Sequence, residues 1–102
     1  MKEIAKRFLE ENHTAPWIED PSAEALVDYV YNGGIWDKDA RAKYPALQAK
    51  QPNAWSMEDV FAYLTFIVLR ERTCDGCIDK HIADGTASAL LNRYLELEEE
   101  IV

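Results

Sequence analysis

A run of ten residues, 60–69, constrains this chain most, because Thr65 is its only plainly polar member. A helix that is apolar on all sides must be buried on all sides. Ser56 precedes the run as an expected helix N-cap, and Asp59 stands where a capping box places its acidic residue. The β-branched and aromatic residues of the run would also suit a buried strand. We favour a helix, because it has a cap before it and no second strand to pair with.

Helix signals also occur earlier in the chain. Asp20-Pro21 predicts an N-cap followed by proline at the first helical position, and Gly33-Gly34 predicts the end of that helix. Pro45 predicts an interruption that divides residues 37–50 into two short pieces. Ile35 and Trp36 are expected to pack back onto the core.

The remaining segments complete a helical pattern. Cys77, Ile78 and His81 share one face of a short predicted helix, and a leucine-rich helix closes the chain. At 102 residues the chain has room for one domain, and its 48% hydrophobic content suffices for a core. The prediction is an all-α fold: a single compact domain, residues 1–102, of five or six helices around one apolar central helix at about residues 57–72.

The charge of the chain is acidic and unevenly distributed. The net charge is −8, and residues 8–37 contain no Lys or Arg. Such a field repels phosphate backbones and anionic lipids, which makes nucleic acid an unlikely partner and a membrane an unfavourable one. A basic protein partner would suit it, and the alternative is a solvated surface that keeps the protein in solution. The candidate partner-binding residues are Glu10, Glu11, Glu19, Asp20, Glu24 and Asp28.

Two features of the sequence predict a cytoplasmic location. No stretch reaches the ~18 apolar residues of a membrane span. Residues 1–7 mix charges where a signal peptide would need an apolar run. In a reducing compartment Cys74 and Cys77 are expected to be thiols.

The most specific local pattern consists of Cys74 and Cys77 followed by His81. Two thiolates two residues apart and an imidazole one helical turn later could hold a metal, although zinc needs a fourth ligand that only His13, Asp79 or Asp84 could supply. A thiol at this helix start, close to arginines, is alternatively expected to have a lowered pKa and greater reactivity. The third interpretation is a turn with small, partly buried cysteines. We predict no cofactor.

Arg70, Glu71 and Arg72 end the apolar run. They could form an anion-binding site together with the helix start after Gly85. Alternatively, Glu71 bridges the two arginines and holds neighbouring helices together.

One basic patch combines cations with aromatic residues, as single-stranded nucleic-acid sites do. Its members are Lys38, Arg41, Lys43, Lys50, Trp36, Tyr44 and Trp55. Asp37 and Asp39 interrupt the cations, so we favour a solvated helix face with the aromatic residues partly in the core.

The sequence contains no catalytic motif, and we favour a protein that is not an enzyme. The leading hypothesis is a small acidic binding or regulatory module that acts through protein contacts. The alternative is a small-molecule, metal or thiol site near Arg70, Arg72, Cys74, Cys77 and His81. The protein is expected to be a monomer or a homodimer, and the apolar faces beside Trp36 and Trp55 could form the dimer if the core does not consume them.

Residues 64–76 read Leu-Thr-Phe-Ile-Val-Leu-Arg-Glu-Arg-Thr-Cys-Asp-Gly and resemble an uncharacterised bacterial family of unknown function. Members of that family carry Leu-Thr, a few apolar residues, Arg-x-Glu-Arg and a nearby Gly, then a second Gly and a leucine-rich closing helix. Asp84-Gly85 and residues 90–95 are similar to that ending, and Tyr31-Asn32-Gly33-Gly34 to its Tyr-x-x-Gly. The chain departs from the pattern by lacking a spacer between Arg70 and Glu71 and by having Thr73 where an aromatic residue is expected. The resemblance implies a compact helical domain and no particular activity.

Overall fold

The structure, a computed structural model, describes residues 1–101, and 74% of the chain is helical. The six α-helices are α1 (Lys2–Glu10), α2 (Pro21–Asn32), α3 (Ala40–Ala49), α4 (Met57–Glu71), α5 (Cys77–Ala83) and α6 (Thr86–Ile101). Short 3-10 turns lie at Trp17–Glu19 and Pro52–Ala54, and no strand occurs within residues 1–101. The all-α prediction is confirmed. None of the helices described is both long and apolar enough to cross a membrane.

Helix α4 is the apolar central helix. It packs against α2, α3, α5 and α6, while α1 packs against α2 and α6. Its buried residues are Val60, Ala62, Tyr63, Leu64, Thr65, Ile67 and Val68. Phe61, Phe66 and Leu69 are only half-buried, so the burial expected on all sides of the run is incomplete there. The helix ends at Glu71, one residue before the predicted end.

Side-chain caps determine where two of the helices begin. The Ser56 hydroxyl accepts the Asp59 N–H at 3.1 Å, and the Asp59 carboxylate accepts the Ser56 N–H at 3.0 Å. Asp20 accepts the N–H groups of Ser22 and Ala23 at 3.1 and 3.4 Å. Each cap satisfies N–H groups that have no partner inside the helix, and both predicted caps are confirmed.

Helix α3 corrects the expectation that Pro45 divides this segment. The helix runs unbroken from Ala40 to Ala49 with Pro45 inside it. Proline removes the hydrogen bond to the carbonyl of Arg41, but both residues are exposed, so water can solvate that carbonyl. Leu47 is 2% exposed, and its packing retains the helix after the proline.

Ile35, Trp36 and Trp55 differ in their burial. Ile35 is 7% exposed and lies in the core as predicted, whereas Trp36 is 37% exposed and does not pack back onto the core. Trp55 is 5% exposed, and its Nε1–H donates to the Leu47 carbonyl at 3.2 Å. The apolar face beside Trp55 is therefore consumed by the core.

Thr65 connects the polar loop before α3 to the middle of α4. Its hydroxyl donates to the Phe61 carbonyl at 2.8 Å and accepts the Asp37 N–H at 3.1 Å. The side chain is fully buried, so no water can replace either partner.

We expect Thr65→Val to destabilise the fold by about 1–3 kcal/mol, because it leaves the Asp37 N–H without an acceptor. Hydrogen exchange should show lost protection at the Asp37 amide, together with a lower Tm. Thr65→Ser keeps the hydroxyl and should preserve that protection. An Asp37 amide that stays protected in Thr65→Val contradicts this role.

Candidate functional site

The three consecutive residues at the end of α4 have different surroundings. They are Arg70, Glu71 and Arg72. Glu71 reaches forward, and its two carboxylate oxygens accept the N–H groups of Gly76 at 2.9 Å and Ile78 at 2.8 Å. It thereby caps the start of α5. Within residues 1–101 no ion pair joins Glu71 to either arginine, so it does not bridge them.

Arg72 turns away from this loop toward the end of α2. Its Nε–H donates to the Tyr31 hydroxyl at 2.9 Å, and its guanidinium carbon lies 4.9 Å from the centre of the Tyr31 ring. Trp36 stacks on Tyr31 with ring centres 5.4 Å apart and an interplanar angle of 17°. Arg72 therefore makes a cation–π contact that joins α4 to α2.

The segment between α4 and α5 is a tight turn. The Cys77 N–H donates to the Cys74 carbonyl at 3.3 Å, across Asp75 and Gly76. Gly76 has φ +93° and ψ 1°, which is the left-handed backbone that the third residue of a type II turn requires. A Cβ there would meet nothing within 4 Å, so this backbone conformation, and not a lack of space, favours glycine.

His81 lies one helical turn after Cys77 and is 8% exposed. Its Nδ1 is 2.8 Å from the Cys77 carbonyl, and because a carbonyl only accepts, Nδ1 carries the proton. Among the described residues Nε2 has no protein partner, and none of their buried side-chain nitrogen or oxygen atoms lacks one. Nε2 is therefore open to solvent, where the neutral ring can accept a hydrogen bond.

Helices α3, α4 and α5, with the turn between α4 and α5, line a cleft of about 340 Å³, here named the Arg70 cleft. Its lining residues are Tyr44, Phe66, Arg70, Cys74, Asp75, Gly76, Cys77, Lys80 and His81. Tyr44 and Phe66 stack with ring centres 3.7 Å apart and an interplanar angle of 11°, and they form an aromatic wall. Four residues of the predicted small-molecule or thiol site thus meet in one cleft, whereas Arg72 is not among its lining residues.

The charge of the Arg70 cleft differs from that of the whole protein. Arg70 and Lys80 are both exposed, and in the part of the chain that the structure describes neither has a carboxylate within 4.0 Å. Asp75 is the one acidic residue of the lining. Two cations without ion-pair partners make this cleft a local positive site on a protein of net charge −8.

The Cys77 thiol does not have the properties of an activated nucleophile. Burial, with the nearby Glu71 carboxylate, raises the pKa of the Cys77 thiol, opposite to the lowering expected at this helix start. Its Sγ lies 3.6 Å from His81 Nδ1, but that nitrogen already carries a proton and cannot act as a base. Among the described residues, no group of three or more Cys, His, Asp or Glu side chains is arranged to hold a metal.

The acidic candidates differ in their surroundings. Five are exposed: Glu10, Glu11, Glu19, Glu24 and Asp28. Asp20 is half-buried and bonded to His13 as well as to its helix. Partial burial by itself raises the pKa of the Asp20 carboxyl, but the hydrogen bonds from His13, Ser22 and Ala23 outweigh it and lower that pKa. Asp20 therefore acts as a structural group.

Two of the four cations in the basic patch expected from the sequence are neutralised by neighbouring acids. Lys43 pairs with Asp37 and Glu58, each at 2.7 Å, and Lys50 pairs with Asp59 at 2.7 Å. The Lys43 ammonium lowers the pKa of the Asp37 carboxyl. With Trp55 in the core, these residues do not form one surface for stacking bases.

Apart from Asp75 and Gly76, which lie between the two predicted cysteines, sequence reasoning missed three members of the Arg70 cleft. Lys80 lies three residues after Cys77 on α5, and Phe66 lies four residues before Arg70 on α4, so helical spacing alone could have joined these pairs. Tyr44 comes from α3, and no local signal connects it with α4 or α5.

We expect Glu71→Ala to lower the free energy of unfolding by about 1–3 kcal/mol, because two N–H groups lose a charged acceptor. Thermal unfolding should show a Tm lower by about 4–8 °C per kcal/mol. Glu99→Ala, at an exposed position of α6, is the control and should stay within about 0.5 kcal/mol. Equal Tm values for the two variants would refute the capping role of Glu71.

One of the three comparisons with known proteins found a match. No curated protein and no solved structure matched the chain. The model of a family of unknown function, DUF6508, matches residues 1–100. The match covers nearly the whole chain and agrees with the resemblance that residues 64–76 carry. The chain therefore belongs to the DUF6508 family, a family of unknown function.

Proposed function

We propose that this domain binds a small anionic molecule with a flat apolar part in the Arg70 cleft. The observation that carries the proposal is the pair Arg70 and Lys80, which lack ion-pair partners among the described residues and lie beside the stacked rings of Tyr44 and Phe66. In a protein of net charge −8, cations left unpaired beside aromatic rings are suited to a ligand that supplies the missing negative charge.

The size and polarity of the Arg70 cleft support a small ligand. Ligand sites typically measure about 300–1,000 Å³, and a cleft of about 340 Å³ lies at the lower end of that range. The aromatic wall would cover a flat ring, while the guanidinium fork of Arg70 would take a carboxylate or phosphate. His81 Nε2 can accept a hydrogen bond from a hydroxyl or amino group of the same ligand.

Binding without catalysis is the role that these groups favour. The Cys77 thiol has a raised pKa, and the one histidine beside it holds its Nδ1 proton against a carbonyl. Neither provides the activated nucleophile that covalent catalysis needs.

Two wider and shallower depressions of about 620 Å³ each are less suited to an anion. One is lined by Glu11 and Asp79 and contains no Lys or Arg. In the other, three acidic residues outnumber two lysines, and Lys43 is already paired.

Phenyl phosphate combines one aromatic ring with a phosphate and is the first probe to use. We expect a Kd of about 1 mM, since ~11 non-hydrogen atoms at roughly 0.4 kcal/mol each gain ~4 kcal/mol. NMR titration should shift resonances of Tyr44, Lys80 and His81. Arg70→Gln should raise the Kd about tenfold through loss of a charge-assisted hydrogen bond. Arg72→Gln makes the same charge change outside the cleft and should leave the Kd unchanged.

Benzyl alcohol, which has the ring without the charge, completes the design. It should bind more weakly than phenyl phosphate does. Its Kd should be the same for Arg70→Gln as for the unaltered protein. Equal weakening of phenyl phosphate by the two arginine variants, or equal shifts with benzyl alcohol, would show that the cleft does not recognise an anion.

The exposed acidic residues favour a second candidate function, a binding or regulatory module for a basic protein. Glu10, Glu11 and Glu19 lie around the loop between α1 and α2 and make no ion pair within residues 1–101. They would attract a basic surface, and salt would screen that attraction. Two further predictions accompany this second proposal. One is a cytoplasmic location, and the other is that the protein is a monomer or a homodimer.

We expect the tagged protein to capture a basic partner at low salt and to lose it at high salt. Converting Glu10, Glu11 and Glu19 to Gln should abolish the capture. Converting Glu3, Glu99 and Glu100 to Gln changes the charge equally at other exposed positions and should not. Capture that survives high salt, or that both triple variants reduce alike, would argue against an acidic binding surface.

A further inference from the structure

The turn from Cys74 to Cys77 holds two thiols at its two ends. The Cys77 N–H donates to the Cys74 carbonyl at 3.3 Å, which closes the turn. Residues at the ends of a β-turn have Cα atoms less than about 7 Å apart, and disulfides join Cα atoms about 4.4–6.8 Å apart. The backbone therefore brings the two cysteines to a separation that a disulfide can span.

The rest of the structure fixes this turn in place. Glu71 accepts the N–H groups of Gly76 and Ile78, so the carboxylate holds the turn and the start of α5 together. Gly76 supplies the left-handed residue that the turn requires. Both cysteines are free thiols. Because the turn already holds the two Cα atoms within the range that a disulfide spans, we expect the backbone to keep these hydrogen bonds when the bond forms.

The two thiols differ in access. Cys74 is exposed, whereas Cys77 is 7% exposed. Burial also raises the pKa of the Cys77 thiol, which lowers its share of thiolate at neutral pH. An oxidant in solution can therefore reach Cys74 first, and Cys77 lies behind it as the thiol that resolves the product.

We propose that Cys74 and Cys77 form a redox-active dithiol, which a low-molecular-weight disulfide such as oxidised glutathione converts to an intramolecular disulfide. The Cys74 thiolate attacks one glutathione sulfur, forms a mixed disulfide and releases one glutathione thiolate. The Cys77 thiolate then attacks the Cys74 sulfur and releases the second glutathione. The two cysteine protons end on the two glutathione thiols, so one dithiol is oxidised and one glutathione disulfide is reduced.

Oxidation would alter the wall of the Arg70 cleft, because both cysteines line it. The Cys77 sulfur also lies 3.6 Å from His81 Nδ1, so a disulfide would form beside that histidine. This inference does not depend on the proposed anion ligand, since the turn and both free thiols are in place without one.

The experiment is a reaction of the reduced full-length protein with oxidised glutathione, followed by intact-mass measurement and thiol counting. The mass of the unaltered protein should fall by two hydrogen atoms, and thiol counting should find neither cysteine free. The disulfide should lie within one chain. Cys77→Ser should stop at the mixed disulfide and carry one glutathionyl group at Cys74. Cys74→Ser should react at least about tenfold more slowly, because its remaining thiol is buried and less ionised.

Three results would overturn the proposal. One is an unaltered protein that stops at the mixed disulfide, as Cys77→Ser is expected to. Another is a disulfide between two chains, and the third is Cys74→Ser reacting as fast as Cys77→Ser. Circular dichroism of each variant before oxidation verifies that it is folded. Phenyl phosphate binding to the reduced protein tests the anion site separately, so the two proposals can fail independently.

Discussion

Burial of α4 is the constraint on which the rest of the structure depends. A helix with so little polar surface is stable in water only when neighbours cover it, and α2, α3, α5 and α6 supply that cover. The one fully buried hydroxyl of this helix, on Thr65, is satisfied at both ends: it donates within α4 and accepts from the loop before α3. Packing and polar satisfaction therefore lead to the same arrangement of helices.

The central position of α4 also determines which neighbours surround its C-terminal end. Arg70, Glu71 and Arg72 leave the core where α2, α3 and α5 come close to α4, so three consecutive side chains meet three different neighbours. Glu71 caps α5 and holds the turn, Arg72 joins Tyr31, and Arg70 remains for the cleft. The cap and the ring contact stabilise the fold, whereas an arginine without an ion-pair partner among the described residues is available to a ligand.

Most of the architecture could be predicted from the sequence because its signals are local. The capping box of Ser56 and Asp59, and the Asp20 cap, depend on residues two or three positions apart. The burial of α4 follows from its composition. The effect of Pro45 could not be predicted in the same way, because tertiary packing of α3 on α4 retains a helix that local propensity would interrupt.

By itself the sequence determined an all-α domain with an apolar central helix, and it placed Arg70, Cys74, Cys77 and His81 in one neighbourhood because they are close along the chain. Only the tertiary structure decided that Arg72 leaves that neighbourhood, since a ring from α2 attracts its guanidinium. It also decided that Tyr44 from α3 completes an aromatic wall. The physical reason is that helix caps and hydrophobic periodicity act over a few residues, whereas a cleft is formed by side chains from separate helices whose packing alone brings them together.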